Sequence, residues 1–275
     1  MQDPKVQILM STFNGEDFLM DQLDSILNQS YEHWELLIRD DGSTDKTLEI
    51  ITNFQEQHQK RIKIVSTMIG GNSSASFMSM LDFVSAPYVM FCDQDDVWTN
   101  DKVEISINEI QRIEKTNAAA LFFTDMSIVD MELNETASSF FENQKLNPAW
   151  SKKSNFAFAQ SVAAGCTMIF TKKLTEKIHG IEATLFQHDH WMLMHAAYYG
   201  EVGYSLKKTV LYRQHGANAV GSHNVGRTYF LSKFTAISKI IRRWLYIRKK
   251  FGSKVSIRKI VLAKWEINKQ RLMAG

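Results

Sequence analysis

Cysteine is scarce in this sequence. The 275 residues include two, Cys92 and Cys166, and each stands inside an apolar run. We interpret them as small buried hydrophobic residues rather than as a disulfide framework or a zinc site, in agreement with a reducing compartment. No stretch of about 18 apolar residues occurs, which excludes an ordinary membrane-spanning helix. The segment after Met1 also lacks the pattern of a signal peptide, so we expect a cytoplasmic protein.

Several signatures of nucleotide and nucleic-acid binding are also absent. The sequence has no P-loop and no dinucleotide fingerprint after a strand. No DNA- or RNA-binding motif accompanies its charges, so we expect no nucleic-acid partner. A nucleotidyltransferase would carry a Gly-rich, basic phosphate loop after its first strand, whereas this chain has Thr12-Phe13-Asn14-Gly15. That class of enzyme is therefore disfavoured.

Charge is distributed unevenly along the chain. Residues 227–275 hold 14 Lys and Arg against one acid, Glu266, a net charge of +13. Residues 1–226 hold 18 bases and 29 acids, a net charge of −11. An acidic body therefore carries a strongly basic tail. The length and the 44% hydrophobic content suffice for one large α/β domain with an appendage.

The first third of the chain alternates strand-like and helix-like patterns at short spacing. This alternation is typical of a mostly parallel, Rossmann-like sheet flanked by helices. Strands are predicted at 6–11, 35–39, 61–66, 88–92 and 118–124. Helices are predicted at 18–27, 48–54, 73–85, 101–114 and 185–199. We expect a loop at 138–155 and strands within 156–170.

Three of the predicted strands end in polar residues. The first is followed by Thr12 and Asn14, the second by Asp40 and Asp41, and the fourth by the acidic cluster at 93–96. Ligands of open α/β sheets bind outside the carboxyl ends of the strands. We therefore expect these three strand ends to meet in one crevice.

The cluster Asp93-Gln94-Asp95-Asp96 carries the sharpest chemical signal. Three carboxylates within four residues repel one another and normally need a cation or several donors nearby. Oxygen-rich sites of this kind suit Mg²⁺ or Mn²⁺, which also bind substrate phosphates, so a nucleoside diphosphate is the natural partner. The alternative is a solvated turn or a helix cap before Trp98.

The motifs, taken in order, resemble those of the family 2 glycosyltransferases of GT-A fold. The later motifs are similar to those of the branch that includes bacterial rhamnosyltransferases, and the resemblance covers about residues 5–225. The segments that carry it are STFNGE at 11–16, RDDGSTD at 39–45, FCDQDDVW at 91–98, AGCTM at 164–168, HDHW at 188–191 and YRQHGAN at 212–218.

The resemblance implies roles for individual residues. Asp95 would be a metal ligand, with Asp93 and His215 as further contacts to the metal or the diphosphate, and Asp189 would be the catalytic base. One departure is Ser76, which stands where relatives are expected to have Asn. The residues expected along the donor nucleotide are Thr12, Phe13, Asn14, Glu16, Asp40, Asp41, Asp93 and Gln94.

Asp189 also has a chemical rationale. A carboxylate can take the proton of an attacking sugar hydroxyl, and a divalent ion can neutralise the leaving diphosphate as a Lewis acid. One base and one metal suffice for a single displacement with inversion. A retaining double displacement would need a carboxylate nucleophile, which the sequence alone does not identify. The alternatives are a polar helix N-terminus for Asp189 and a structural histidine for His215.

Sugar or acceptor contacts are expected from the later motifs as well. For Trp98 and Trp191, core packing is the alternative to stacking on a sugar. The candidate contacts are Trp98, Gly165, Cys166, His188, His190 and Trp191.

The basic tail combines its charge with a helical apolar pattern. Apolar residues recur at helical spacing from Leu231 to Phe251 and again around Ile257, Val261 and Trp265, with Lys and Arg between them. Such helices suit an anionic membrane surface. The alternatives are helices packed on the catalytic domain and a homodimer contact.

These observations predict a catalytic domain at 1–226 and a basic helical tail at 227–275. The nucleotide-sugar part would span about 1–125 and the acceptor part about 126–226. The predicted reaction is inverting transfer of L-rhamnose from dTDP-L-rhamnose to a lipid-linked or growing cell-surface polysaccharide, at the inner face of the bacterial plasma membrane. UDP-hexose donors are the alternative. A membrane-surface or polyanion-binding protein with an inactive sheet domain is the non-enzymatic alternative.

Overall fold

A nine-stranded sheet forms the centre of the protein. The computed structural model describes residues 4–67, 72–114, 118–178, 180–215, 237–252 and 254–273. The strands are β1 (Val6–Thr12), β2 (Trp34–Asp40), β3 (Ile62–Ser66), β4 (Tyr88–Asp93), β5 (Val97–Trp98), β6 (Ala120–Val129), β7 (Glu135–Ala137), β8 (Met168–Thr171) and β9 (Glu201–Arg213).

The first half of the sheet is parallel, in the order β3-β2-β1-β4. Thr12 lies opposite Asp40 on β2, and Ser11 lies opposite Asp93 on β4. The carboxyl ends of these three strands are therefore neighbours at one edge of the sheet, and their loops face the same crevice.

The second half of the sheet is mixed. Strand β8 runs antiparallel to both β4 and β6, β9 runs parallel to β6, and β5 runs antiparallel to β9. The predicted α/β class is confirmed; the uninterrupted parallel part comprises β1 to β4, and β6 and β9 form a further parallel pair. Short connections such as the turn from β6 to β7 permit antiparallel neighbours.

Apolar residues cover both faces of the sheet. On β1, Ile8 and Met10 belong to one core cluster, whereas Leu9 belongs to the cluster on the other face. Successive strand residues point to opposite faces, so a strand buried on both sides is a continuous apolar run. This is why β1, β2 and β4 could be predicted from the sequence.

Helices flank the sheet. They are α1 (Leu19–Leu27), α2 (Thr47–Gln57), α3 (Ser73–Met80), α4 (Lys102–Ile113), α5 (Phe140–Asn143), α6 (Ser154–Ala159), α7 (Lys172–Thr175), α8 (His188–Tyr199), α9 (Ile237–Phe251) and α10 (Ile257–Met273). None of the helices in the described ranges combines the length and apolar character that a bilayer span requires.

The segment from 138 to 170 differs from its prediction. The expected loop contains α5 and a 3-10 turn at Pro148–Lys152. Each begins with a capping side chain, because Ser139 accepts from the backbone N–H of Glu142 at 3.1 Å and Asn147 accepts from that of Ala149 at 3.0 Å. The strands expected within 156–170 were also wrong in part, since α6 precedes a single strand, β8.

Helices α9 and α10 pack against the rest of the protein. Ile247 and Phe251 of α9 share a buried cluster with Trp191 of α8 and Phe158 of α6. On α10, Ile267 is buried in the cluster beneath the sheet. The described part of the basic tail therefore contributes to the core. The predicted boundary at 226 lies outside the described residues.

Candidate active site

The loops that follow β1 and β2 are joined by hydrogen bonds. Asn14 has a left-handed backbone, with φ of 45°. Its backbone N–H donates to Ser43 Oγ at 2.9 Å, and its side-chain oxygen accepts from the Thr44 N–H at 2.9 Å. The carboxylate of Glu16 accepts from the Lys46 N–H at 3.0 Å. Asn14 and Glu16, both expected near the nucleotide, thus hold the two loops together.

The loop after β4 is tied to the loop after β1. The Gln94 side chain accepts from the Phe13 N–H at 2.8 Å and donates to the Phe13 carbonyl at 2.9 Å. A Cβ at Gly15 would lie 2.4 Å from the Gln94 amide, so glycine permits this close approach. The Phe13 ring is 55% exposed at the mouth of these loops.

Asp40 anchors the turn after β2. Its Oδ2 accepts from the Thr12 hydroxyl at 2.9 Å, and its Oδ1 accepts from the backbone N–H groups of Gly42 and Ser43 at 3.0 and 2.9 Å. The side chain is 1% exposed. These bonds shape the loop, and the expected contact of Asp40 and Thr12 with a nucleotide stays a prediction.

Asp41 has a different set of partners. The Arg39 guanidinium pairs with its Oδ1 at 2.9 Å, and the Ser76 hydroxyl contacts its Oδ2. Ser76 is the position at which relatives are expected to have Asn. Its short side chain serves Asp41 and thereby joins α3 to the turn after β2.

Asp95 and His215 meet from distant parts of the chain. The Asp95 Oδ2 lies 2.9 Å from the His215 Nε2, although 120 positions separate them. Their side chains are 17% and 10% exposed. The His215 ring stacks on Phe18, with the ring centroids 4.6 Å apart. Two residues expected at the metal are therefore adjacent and partly open to solvent.

Arg213 supports this pair and was missed in the sequence. Its guanidinium pairs with Asp21 at 2.6 Å, donates to the Met131 carbonyl at 3.0 Å and lies 4.9 Å over the Phe18 ring. It thus fixes the ring on which His215 stacks. The sequence offered one signal for the role of Arg213, its position two residues before His215.

Asp93, Asp96 and Cys166 form a more buried cluster, whose ligand atoms lie within 4.8 Å of one another. Burial, together with the charges of Asp95 and Asp189, raises the pKa of Asp93 to about 7. Burial also raises the pKa of Asp96 and of the Cys166 thiol. The cluster consequently retains protons that isolated carboxyl groups would have lost at neutral pH.

Asp189 lies in the first turn of α8 and is half-buried. Its Oδ1 accepts from the His190 N–H. Burial raises the pKa of Asp189 to about 6. Its charge also raises the pKa of Asp93, so the two carboxyl groups interact electrostatically. The fold therefore lets the candidate base influence the acidic cluster, although they are about 100 positions apart in the sequence.

His188 and Gly165 fit against each other. The His188 ring stacks on Phe77 at 4.4 Å and meets Phe91 edge-on at 5.1 Å. A Cβ at Gly165 would lie 2.6 Å from the His188 Nε2. Burial lowers the pKa of His188 to about 3, so the imidazole is neutral. His188, Gly165 and Cys166 are all buried, so the predicted sugar or acceptor contacts at these positions are not surface groups.

His190, Trp191 and Trp98 are also buried, which corrects their expected role as sugar contacts. The His190 Nε2 lies 2.7 Å from the Ala157 carbonyl, and its Nδ1 lies 3.0 Å from the Arg243 guanidinium. Trp191 and Trp98 are 0% and 2% exposed. Neither indole can present a face to a sugar, and core packing, the alternative, describes both.

The donor set suits a divalent cation. Asp93 and Asp95 offer carboxylate oxygens, and His215 offers an imidazole nitrogen, a set compatible with Mn²⁺ or Mg²⁺. Burial and like charge raise the pKa of Asp93. A bound cation would lower it again and allow the carboxyl group to ionise. The Cys166 thiol is a poor ligand for either ion because burial keeps it protonated.

Comparison with known proteins identifies the family. The family model described as glycosyl transferase family 2 matches residues 7–176. The chain belongs to this family.

Curated relatives include bacterial glycosyltransferases. The chain is 27% identical over 248 residues to the dTDP-rhamnosyl transferase RfbG of Shigella flexneri, covering 86% of this chain and 80% of that protein. It is 39% identical over 108 residues to an uncharacterized glycosyltransferase of Haemophilus influenzae, covering 39% of this chain and 43% of the relative. Against several of these curated relatives the matched part spans about half of their length or less.

Solved structures show the same fold. The chain matches S. aureus TarS 1-349 in complex with UDP-GlcNAc with a TM-score of 0.68 at 16% identity, covering 98% of this chain and 73% of that one. It matches the mannosyltransferase PcManGT from Pyrobaculum calidifontis, in complex with GDP-Man and Mn²⁺, with a TM-score of 0.62 at 15% identity, covering 100% and 72%. These similarities establish the GT-A type of fold.

Proposed function

We propose that this chain is a metal-dependent, inverting glycosyltransferase that transfers L-rhamnose from dTDP-L-rhamnose to a hydroxyl of a lipid-linked or growing bacterial surface polysaccharide. The observation that carries the proposal is the contact of Asp95 with His215, supported by the pKa of Asp93, which the charges of Asp95 and Asp189 raise. This electrostatic coupling supports a common site for the candidate metal ligands and the candidate base, at the carboxyl ends of the parallel strands.

The chemistry follows from these residues. Asp189 would accept the proton of the acceptor hydroxyl while its oxygen forms a bond to the anomeric carbon. The bond from that carbon to the donor diphosphate breaks on the opposite face, and its electron pair leaves with the nucleoside diphosphate. A divalent ion bound by Asp95, Asp93 and His215 would neutralise the charge of the leaving group. One displacement of this kind inverts the anomeric configuration.

The choice of rhamnose rests on similarity to RfbG along most of the chain. Other relatives carry different names, among them a UDP-Glc-dependent β-1,3-glucosyltransferase, WfgD of Escherichia coli, described as acting on a GlcNAc-diphosphoundecaprenol. That name supports a lipid-linked acceptor, which would be held at the inner face of the plasma membrane.

A donor panel tests the proposal. dTDP-L-rhamnose, UDP-glucose, UDP-GlcNAc and GDP-mannose are each supplied with Mn²⁺, with Mg²⁺ or with a chelator, and the release of nucleoside diphosphate is measured. We expect metal-dependent release that is fastest with dTDP-L-rhamnose. A preference for a UDP-sugar would keep the reaction class and change the donor, and no release from any sugar nucleotide would contradict the proposal.

Two variants then separate the roles of the carboxylates. Asp95→Ala is expected to lose activity together with metal-dependent donor binding, whereas Asp101→Ala, at an exposed position nearby, serves as its control. Asp189→Asn is expected to bind donor and metal normally and to lose about 10²- to 10⁴-fold in transfer, the usual contribution of a general base. Less than a tenfold loss would assign the base to another carboxylate.

A further inference from the structure

Helix α10 has apolar residues on two opposite faces. One face, with Ile260, Ala263 and Ile267, is buried against the rest of the chain. The other face is exposed, and it includes Trp265 at 62% and Leu262 at 55%. The exposed large apolar residues of this helix are Val261, Leu262, Trp265, Leu272 and Met273.

Helical geometry brings these exposed residues together. Positions three, four, seven or eleven apart in a helix lie on the same side. Val261, Trp265 and Leu272 are related by such steps, and Leu262 and Met273 stand beside them by the same rule. The result is an exposed apolar cluster of Val261, Leu262 and Trp265, followed on the same side by Leu272 and Met273 after the polar turn of Asn268 and Lys269. This group is larger than the single exposed apolar residues that are ordinary on a protein surface.

The charges around this group are basic. Arg258, Lys259 and Lys269 are exposed, and the Lys269 ammonium lies 5.5 Å over the Trp265 ring. Glu266 is the sole acid of the helix, and its carboxylate accepts from the Gln270 amide at 2.8 Å. An exposed tryptophan bordered by lysine and arginine is the arrangement favoured at the boundary between lipid and water.

Helix α9 repeats the arrangement. Its inner face carries the buried Ile247 and Phe251, and its outer face exposes Ile241 at 47% and Leu245 at 58%. The sequence of α9 contains no acid, and its exposed basic residues are Lys239, Arg242, Arg248 and Lys249. Both described helices of the tail therefore dock by one face and present a basic, apolar face to the outside.

We propose that these two outer faces, of α9 and α10, bind the surface of an anionic lipid bilayer. A bilayer with acidic headgroups takes up exposed indole and leucine side chains and neutralises the basic residues at the same time. A second copy docked by the same face about a twofold axis would instead set two basic surfaces against each other. Charge complementarity thus selects the bilayer over self-association.

The net charge of the rest of the chain would orient the protein on an anionic bilayer. Residues 1–226 carry a net charge of −11, so an anionic surface repels the body while it attracts the tail. The proposed function supplies the biological reason, an acceptor held in lipid. The test uses no activity measurement for binding, so the failure of either proposal can be recognised separately.

The experiment is co-sedimentation of the full chain with vesicles of phosphatidylcholine, with and without phosphatidylglycerol. We expect binding that requires phosphatidylglycerol and weakens with salt. The paired substitution Leu262→Glu and Trp265→Glu is expected to lower the partition coefficient at least about tenfold, since it removes two inserted side chains and adds two negative charges. Arg258→Gln and Lys269→Gln should each lower it up to about fivefold.

The matched control is Leu206→Glu, because Leu206 on β9 is as exposed as Trp265, at 62%. It should bind vesicles like the unaltered chain. All variants are checked by circular dichroism, by thermal unfolding and by nucleotide release, none of which should change, since the altered side chains are exposed and distant in sequence from Asp189.

A spectroscopic measurement keeps the proposal testable if vesicle binding is strong in every variant. The emission of Trp265 should shift to shorter wavelength on phosphatidylglycerol vesicles, and Trp265→Phe should remove that shift while retaining binding. The proposal is overturned if the paired variant sediments like the unaltered chain. It is also overturned if the chain does not bind vesicles and light scattering shows a dimer that the paired variant abolishes. A second copy would then cover the outer faces of α9 and α10.

Discussion

The guanidinium of Arg243 on α9 donates to the Nδ1 of His190 across 3.0 Å. Since arginine can only donate, the His190 Nδ1 is an acceptor, and the ring proton resides on Nε2, which donates to the Ala157 carbonyl at 2.7 Å. Burial lowers the pKa of His190 to about 3, in agreement with a neutral ring. A residue of the basic tail therefore fixes the side chain that follows the candidate base, Asp189.

The first prediction concerns this contact. Arg243→Met keeps a long apolar stem over Phe186 but leaves the His190 Nδ1 without its donor. We expect the free energy of unfolding to fall by about 1–3 kcal/mol, as for other buried hydrogen bonds of charged groups, with transfer slowed up to about tenfold and donor KM unchanged.

Two further substitutions interpret that result. Arg242→Met changes an exposed neighbour on the same helix and should leave both quantities near their original values. Arg243→Lys retains a donor and should recover part of the transfer rate. If Arg242→Met and Arg243→Met behave alike, the contact with His190 has no role in positioning Asp189.

The second prediction is the pH dependence of catalysis. Burial raises the pKa of Asp189 to about 6, and a general base acts only when deprotonated. The ratio kcat/KM, which reports ionisation in the free enzyme, should therefore rise with pH and level off above about 6. The ratio kcat/KM is measured at a saturating metal concentration across a series of pH values. An acidic limb near the ordinary aspartate value of 3.8 would show that the base is more solvated than this structure indicates.

The third prediction is the stability of the metal-free protein. Asp93 and Asp189 have folded-state pKa values raised from 3.8 to about 7 and about 6, so the folded state binds more protons than the unfolded chain between those limits. The free energy of unfolding must then decrease as pH rises from about 4 to 7.

Thermal unfolding without metal at a series of pH values checks this direction. Asp93→Asn should make the free energy of unfolding depend less on pH, because Asp93 has the larger of the two pKa shifts. Added Mn²⁺ should stabilise the unaltered protein more at pH 7 than at pH 5, since protonated carboxyl groups bind the ion poorly. A metal-free protein whose stability increases over this range would contradict the assignment.

The strands could be predicted from the sequence because their signal is local. Strands β1, β2 and β4 each contain an apolar run, at 8–10, 36–38 and 88–92, and end in polar residues, so their location and that of the crevice follow from the pattern. The short helices α5 and α6 have no comparable periodicity, and α5 depends on a single capping side chain, Ser139. Patterning carries little information about such elements.

The site was predicted unevenly, for a related reason. The family motifs name Asp93, Asp95, Asp189 and His215, but which of these approach one another is a property of the tertiary fold. Residues that act from a distance carry no motif at all, and Arg243 could not be assigned before α9 was seen to dock beside α8. Tryptophans such as Trp98 suit both a sugar platform and a core, and only burial distinguishes the two.

The fourth prediction tests the close fit of Gly165 and His188. Gly165→Ala would bring its Cβ within 2.6 Å of the His188 Nε2, and the ring cannot move easily because it stacks on Phe77. We expect a loss of about 1–3 kcal/mol in stability, typical of overpacking. His188→Ala creates space, so the double variant should lose less than the two single losses together. Additive losses would show that another contact limits the size of residue 165.

The fifth prediction concerns the tail as part of the core. Phe251 packs its ring 4.9 Å from Phe158 and 5.7 Å from Trp191, and it is 5% exposed. Phe251→Ala should cost about 3–5 kcal/mol, whereas Leu245→Ala, at an exposed site of the same helix, should stay within about 0.5 kcal/mol. Denaturant unfolding measures both. Deletion of all residues after Gly226 should then prevent folding, and a stable truncated protein would show that α9 and α10 are accessory.

The hydrogen bonds among the loops after β1, β2 and β4 have a consequence for how the donor arrives. Asn14, Glu16 and Gln94 connect these loops through backbone groups of the chain itself. Ordering a flexible loop at the moment of binding would subtract about 1–2 kcal/mol of affinity for each residue immobilised. Because these hydrogen bonds hold this wall of the crevice together, a nucleotide that contacts it avoids much of that cost.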